Sequence, residues 1–424
     1  MCRDKDEGIL MDNREEIKRW KQHFDEQLNG ALEEDQDGEG SFEFETVEEN
    51  LCKDVGGQCL IQNWTSDFRW PTEFENTYDS LILSNLSVSN TSKEMFDYLT
   101  LNFKTVSIEG CHIADIYLAS NFSSLTVDCS GSIRLIILNR EDYLLETLVI
   151  KETTFTEKPS NLSLLSQLKD FQMHQVGELA LDASELDGLK HLKYIVITDT
   201  NVTVKLSSTV FLKSLLVMEL KNCSLTTLDL SLWYLPELQK INFKNNQLKE
   251  LPRGLNRFKA LGIADFSDCK LETVEAESFQ GLAELQLLHL QNNRIVSFEL
   301  PLNLTFLITI NLRNNELRFV ELPEDQKWQR LDLDGNPLNC SWLTAKQESL
   351  ERIVPSFIVN LEDRQPGKCS TKQIANMDDN QTVNLEPRNI FNLKDLTQEI
   401  INLEDRSSGR SSTLKTAKIW KIVI

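Results

Sequence analysis

Nine cysteines and five histidines are the side chains of this 424-residue chain best suited to metal or redox chemistry. The cysteines are Cys2, Cys52, Cys59, Cys111, Cys129, Cys223, Cys269, Cys340 and Cys369. Their spacing contains no CxxC and no Cys/His cluster, so neither a zinc site nor a bound cofactor is expected. No nucleophile motif, phosphate loop or convergent carboxylate pair appears either, and a non-enzymatic protein is expected. The other chemistry written in the chain is modification. Ten Asn-x-Ser/Thr sequons occur, at Asn63, Asn85, Asn90, Asn121, Asn161, Asn201, Asn222, Asn303, Asn339 and Asn380. Composition alone predicts roughly five, and an excess of sequons points to surface glycosylation outside the cell.

The elements that position these residues come from an internal period. The segments LQKINFKNNQL from Leu238, LQLLHLQNNRI from Leu285 and LITINLRNNEL from Leu307 each read LxxLxLxxNxL, and WQRLDLDGNPL from Trp328 follows with Trp in first place. Weaker copies begin at Tyr78, Phe103, Phe122, Leu145, Leu168, Leu192, Leu215 and Leu261. This is a leucine-rich repeat, and it predicts an α/β solenoid, a horseshoe of about 12 turns that needs a cap at each end. In each copy the LxL segment is a short strand whose two leucines point inward with period two. The predicted strands centre on Ile82, Ser107, Thr126, Val149, Gln172, Val196, Glu219, Asn242, Asp265, His289, Asn311 and Asp332.

The Asn slot must satisfy backbone groups where the chain leaves the strand. Asn246, Asn293, Asn315 and Asn336 fill it, with Cys111, Cys223, Cys269, Thr153, Thr200 or Ser130 elsewhere. Small and buriable, Cys111, Cys223 and Cys269 are expected as buried free thiols. Cys129 stands one place before its slot and is expected to face outward, unpaired and reactive. The fifth and seventh positions of each copy point away from the core, onto the concave side. In the C-terminal half they predict one contiguous polar patch of Asn242, Lys244, Asp265, His289, Gln291, Asn311, Arg313 and Asp332, suited to a protein or glycan ligand.

The expected organisation is a helix and acidic linker over 1–40, an N-terminal cap over 41–77, repeats over 78–338, a C-terminal cap over 339–374 and a tail over 375–424. An open stack needs its ends covered. Cys52 and Cys59 are expected to close a short loop at one end. At the other, a helix of roughly 342–353 should lay Leu343, Leu350 and Ile353 over the exposed core. Before the repeats, Ile17, Trp20, Phe24 and Leu28 form an apolar stripe at helical spacing. Residues 31–50 hold nine acids and no base, which reads as a solvated linker. In the tail, Leu393, Leu396, Ile400 and Leu403 span about two heptads, too few for a coiled coil.

Net charge is −22, from 66 acids against 44 bases. That argues against nucleic acid and anionic membrane surfaces as partners, since both need a positive face. No apolar run is long enough to span a bilayer, and the N-terminus lacks the basic start and apolar stretch of a signal peptide. The sequons and the cysteines flanking the repeats nonetheless favour an oxidising, extracellular compartment for residues from about 45 onward.

Three resemblances refine this reading. The stretch CRDKDEGILMDNREEIKRWKQHFDEQLNG, with Trp20, His23, Phe24, Leu28 and Asn29 as anchors, resembles the segment ahead of the reverse transcriptase domain in non-LTR retrotransposon polyproteins. Residues 1–40 would then be transposon-derived, without catalytic function. LDLDGNPLNCSW, followed by RQPGKCS, resembles the C-terminal flanking cap of extracellular leucine-rich repeats. That resemblance implies a Cys340–Cys369 disulfide, and Trp342 stands where the usual further cysteine would be. Across about 45–375 the combination is similar to the mosquito leucine-rich repeat immune proteins. This implies a secreted innate-defence protein acting through protein contacts, with a complement-like thioester protein as a possible partner. The alternative is a structural cell-surface or matrix adhesion protein.

Overall fold

The structure, a computed structural model, describes residues 52–63 and 78–373, apart from 87–90, 92, 120, 139–142, 206–207, 303, 324–327, 355–356 and 366–367. The chain divides into two compact units, Met1–Lys53 and Asp54–Ile424. The stripe of Ile17, Trp20, Phe24 and Leu28, the sequons Asn90, Asn303 and Asn380, and the tail over 375–424 lie outside the described residues.

The second unit is a leucine-rich-repeat solenoid built on a 15-stranded sheet. Its parallel row runs β1 (Cys59–Gln62), β2 (Ser80–Ser84), β3 (Thr105–Glu109), β4 (Ser124–Ile136), β5 (Thr147–Phe155), β6 (Asp170–His174) and β7 (Tyr194–Thr198). It continues through β8 (Val217–Lys221), β9 (Lys240–Asn242), β10 (Ile263–Asp265), β11 (Leu287–His289), β12 (Thr309–Asn311) and β13 (Arg330–Asp332). Every strand centre expected from the repeat phase lies in this row. They are also partners in register, from Ile82 beside Ser107 through Val196 beside Glu219 to Asn311 beside Asp332.

The strands shorten along the chain for a local reason. In β9, β10, β12 and β13 the last residue is Asn or Asp, and its Oδ1 accepts from the backbone N–H two residues on. Lys244 N reaches Asn242 at 3.2 Å, Ser267 N reaches Asp265 at 2.9 Å, Arg313 N reaches Asn311 at 3.1 Å and Asp334 N reaches Asp332 at 3.1 Å. Such local bonds compete with the ladder and end the strand there. β2, β3, β7 and β8, with Ile82, Ser107, Val196 and Glu219 at that place, run five residues. β11 carries His289 and is short without such a bond, between two strands that have one.

Beyond each strand the slot residue joins two turns. Asn246 Oδ1 accepts from Cys223 N and Leu225 N, while its Nδ2 donates to Leu220 O and Phe243 O. Asn293, Asn315 and Asn336 repeat the pattern. Cys223 does part of the same work, its Sγ donating to Ile197 O at 3.3 Å. Just before the slot the chain turns through the left-handed region at Asn222, Asn245, Asp268, Asn292 and Asn314. Short amide and carboxylate side chains tolerate that region best, because they can bond locally. Here they bond laterally: Asn292 Nδ2 donates to Asp268 Oδ1 at 2.7 Å, and Asn314 Nδ2 to Asn292 Oδ1 at 2.8 Å.

β4 corrects three expectations. Cys111 is not a free thiol and Cys129 is not an exposed one, because the two form a disulfide, with both residues buried and Cα atoms 4.7 Å apart. Ser130 does not fill the slot, since it is exposed. The cause is backbone. β4 makes no left-handed turn after Asp128 but runs on extended to Ile136, with a register shift against β5 between Asp128 and Gly131. Period two therefore continues, and Cys129 points inward after Leu125 and Val127. There it meets the slot residue of the preceding turn. Cys223 and Cys269 are free and buried as expected, and burial pushes their thiols up to about 12 and about 11.

At the ends, Cys52 is joined to Cys59. α1 (Lys93–Asn102) lies among the early turns. α2 (Cys340–Ile353) covers the last turn with Leu343, Leu350 and Ile353 buried, as expected. Asn339 caps it, accepting from Ser341 N at 2.9 Å and Trp342 N at 3.2 Å. Cys340 is disulfide-bonded, and the side chain of Cys369 lies outside the described residues. An antiparallel pair, Phe357–Gln365 with Lys368–Gln373, completes the described chain.

Candidate binding face

The sheet has one face on the core and one turned away from it. The register places Asn242, Asp265, His289, Asn311 and Asp332 side by side across β9 to β13 on the outer face. The next outward position forms a parallel column. Asn245 N bonds Ser267 O, Asp268 N bonds Gln291 O, Asn292 N bonds Arg313 O and Asn314 N bonds Asp334 O. All eight residues expected to form one patch are thus neighbours. Their exposure differs: Lys244 and Arg313 are exposed, Asp265, His289, Gln291 and Asn311 are half-buried, and Asn242 and Asp332 are buried between their neighbours.

The charges are mostly paired within the face. Lys244 Nζ stands 3.4 Å from Asp268 and Arg313 Nη1 4.0 Å from Asp334. Arg330 lies 3.7 Å from Asp332, and His289 Nδ1 3.8 Å from Asp265 Oδ2. Burial raises the Asp265 carboxyl, but the bonds from His289 and Ser267 outweigh it and hold the group below its ordinary value. The carboxylate is therefore charged at neutral pH, with one oxygen committed to the backbone of Ser267. Chemically, the face offers fixed acceptors in the middle and exposed cations at the rim.

Two side-chain networks on the same face were not anticipated as sites. In β8, the buried Glu219 carboxylate lies 2.7 Å from both Lys221 Nζ and Lys240 Nζ. Burial raises its pKa, but the two ammonium groups bring it below the ordinary carboxylate value. In β6, Asp170 accepts from Gln172 Nε2, Gln172 Oε1 lies 3.1 Å from His174 Nε2, and His174 Nδ1 lies 2.9 Å from Thr198 Oγ1. Desolvation, with Lys151 nearby, lowers His174 to about 4. Each network is built on alternate outward positions of one strand and completed by one residue of the next, Lys240 of β9 or Thr198 of β7. The phase of the repeat could have found them, but the depth of their burial depends on neighbouring strands.

The sequon residues Asn63, Asn85, Asn121, Asn161 and Asn201 are exposed. Asn63 and Asn85 occupy left-handed turn positions, and Asn85 Nδ2 donates to Asn63 Oδ1 at 3.3 Å. Among the described residues no group of three or more His, Cys, Asp or Glu side chains could hold a metal ion, and no helix is long and apolar enough to cross a membrane.

No protein-family model matches the chain. Among curated proteins it is similar to lumican of Gallus gallus, 29% identical over 229 residues, covering 52% of this chain and 63% of lumican. It is similar to CD180 antigen of Mus musculus, 26% identical over 265 residues, covering 55% of this chain and 39% of that protein. Opticin of Mus musculus is 31% identical over 134 residues, covering 28% of this chain and 39% of opticin. Each match thus spans less than two thirds of the relative. Among solved structures, a chain of the mouse RP105/MD-1 complex aligns with a TM-score of 0.44 at 19% identity, covering 66% of this chain and 55% of that one. A chain of the octameric complex of Latrophilin 3, Unc5D and FLRT2 aligns with a TM-score of 0.45 at 16% identity, covering 66% and 83%.

Proposed function

We propose that this chain is a non-enzymatic, extracellular protein-binding module of insect innate immunity, and that it captures its partner on the outer sheet face of β9 to β13. The observation that carries the reading is the in-register array of Asn242, Asp265, His289, Asn311 and Asp332, flanked by Lys244, Gln291 and Arg313. An array of fixed spacing with both signs of charge selects a complementary protein rather than polyanions in general. Leucine-rich relatives support a binding module in immune or matrix settings. Candidate partners are a protein, with a complement-like thioester protein as the leading case, or a glycan. The sequons at Asn63, Asn85, Asn90, Asn121, Asn161, Asn201 and Asn303 would carry glycans in the secretory pathway, and Cys340 would bridge Cys369. Residues 1–40 would be the transposon-derived stretch ahead of the module.

The test is Lys244→Glu with Arg313→Glu. Both side chains are exposed, so folding should be unaffected. Capture of a purified thioester protein should be lost at unchanged melting temperature, and capture that survives the double reversal would overturn the assigned face. A matrix adhesion role is the second reading, favoured by the similarity to lumican. Transcript induction after bacterial challenge supports the immune reading; constant, tissue-restricted expression supports the matrix one.

A further inference from the structure

A second surface lies off the sheet, on the flank that each turn crosses just before its strand. The segments Val210–Phe211 and Trp233–Tyr234 pair there in parallel, Val210 beside Trp233 and Phe211 beside Tyr234. Val210 and Trp233 are buried. Phe211 and Tyr234 are their outward alternates, 49% and 45% exposed, with ring centroids 5.8 Å apart, and Leu232 beside them is 43% exposed. Arg257 takes the place of Tyr234 one turn later, at the step that sets Lys240 beside Ile263.

The charges around this flank differ from those on the sheet face. There Lys221, Lys240, Lys244, Arg313 and Arg330 all stand within 4.0 Å of a carboxylate. Here Lys190, Lys213 and Arg257 have no carboxylate partner among the described residues. Lys190 and Lys213 fall on successive turns, joined by the bond from Ser214 Oγ to Lys190 O. Of the acids nearby, Asp187 accepts from Phe211 N at 3.2 Å, Glu185 from Asn161 N at 3.0 Å and Asp229 from Ser231 N at 2.8 Å, while Glu237 is exposed, three residues beyond Tyr234. A chain of net charge −22 thus keeps a group of unpaired cations around an exposed aromatic pair.

We propose that this flank is a second docking surface, which takes an acidic protein segment bearing apolar side chains. Aromatic anchors at the centre of a patch, with charge at its rim, are where protein interfaces concentrate their affinity. The unpaired cations set the sign of the partner, because they complement carboxylates without first breaking an internal pair. The surface does not overlap the face of β9 to β13, so the two can be tested apart.

The probe is a fluorescent, Glu-rich synthetic peptide carrying two phenylalanines, compared by anisotropy with the same peptide carrying serines there and with a heparin oligosaccharide. The full chain should bind the phenylalanine peptide at least about tenfold more tightly than the serine peptide, the gain expected when apolar anchors are seated. Phe211→Ser with Tyr234→Ser should remove that preference, and Lys213→Glu with Arg257→Glu should weaken binding of both peptides. The positions changed are exposed, and circular dichroism and melting curves confirm that each variant is folded. Equal binding of the two peptides, binding insensitive to the flank variants, binding of heparin alone, or no binding would each overturn the proposal.

Discussion

Asn246 ties two turns together with one carboxamide. Alanine there would strand the N–H groups of Cys223 and Leu225 and the carbonyls of Leu220 and Phe243. A buried polar group without a partner costs about 1–3 kcal/mol, and the groups share one site, so Asn246→Ala should lose about 3 kcal/mol. Urea unfolding would show this as a lower midpoint at an unchanged slope; an unmoved midpoint would mean that water replaces the amide. The slot was legible because its chemistry is local: an amide donor and acceptor recur at one place in LxxLxLxxNxL. Its substitutes were less legible. Cys223 and Cys111 stand at equivalent positions, yet one is a free thiol and the other is bonded to Cys129. Residue type at the slot could not separate them, since the difference arises from the backbone of the next turn.

At the scale of elements, the strand centres followed from periodicity, because a repeat whose leucines must face one core has little freedom of phase. Strand length was also written locally, in the Asn or Asp that closes β9, β10, β12 and β13. The extended course of β4 was not, because the pattern assumes a turn after Asp128 and nothing short-range marks its absence. The bond it creates closes a loop with a sequence separation of 18, and loops of that size stabilise by about 3 kcal/mol through the unfolded chain. Replacing Cys111 and Cys129 by serine should therefore lower the melting temperature. Peptide mapping without reduction should recover Cys111 linked to Cys129, while Cys223 and Cys269 alkylate only after unfolding. A linkage between Cys223 and Cys269 would contradict the described pairing. On the candidate face, the columns were legible from the same phase. The pairing of Lys244 with Asp268 was not, because it joins an outward position to a turn residue of the next copy.

Across the whole molecule, charge and connectivity act differently. A net charge of −22 repels itself in the compact state. Added salt screens that repulsion, so the melting temperature should rise between low and physiological ionic strength. A fall would show that the paired charges of the sheet face outweigh the net imbalance. Connectivity is nearly one-dimensional, each turn resting on its neighbours, and this has a mechanical consequence. Under tension applied through its two ends, such a stack yields by peeling, and each released turn gives up its full contour. The Cys111–Cys129 bond withholds the 18-residue span between its ends from that extension. At the reach of an extended chain this shortens the fully drawn protein by about 60 Å. Reducing agent would restore that length, so a force–extension trace would measure the bond directly, as a missing segment that reappears when the thiols are freed.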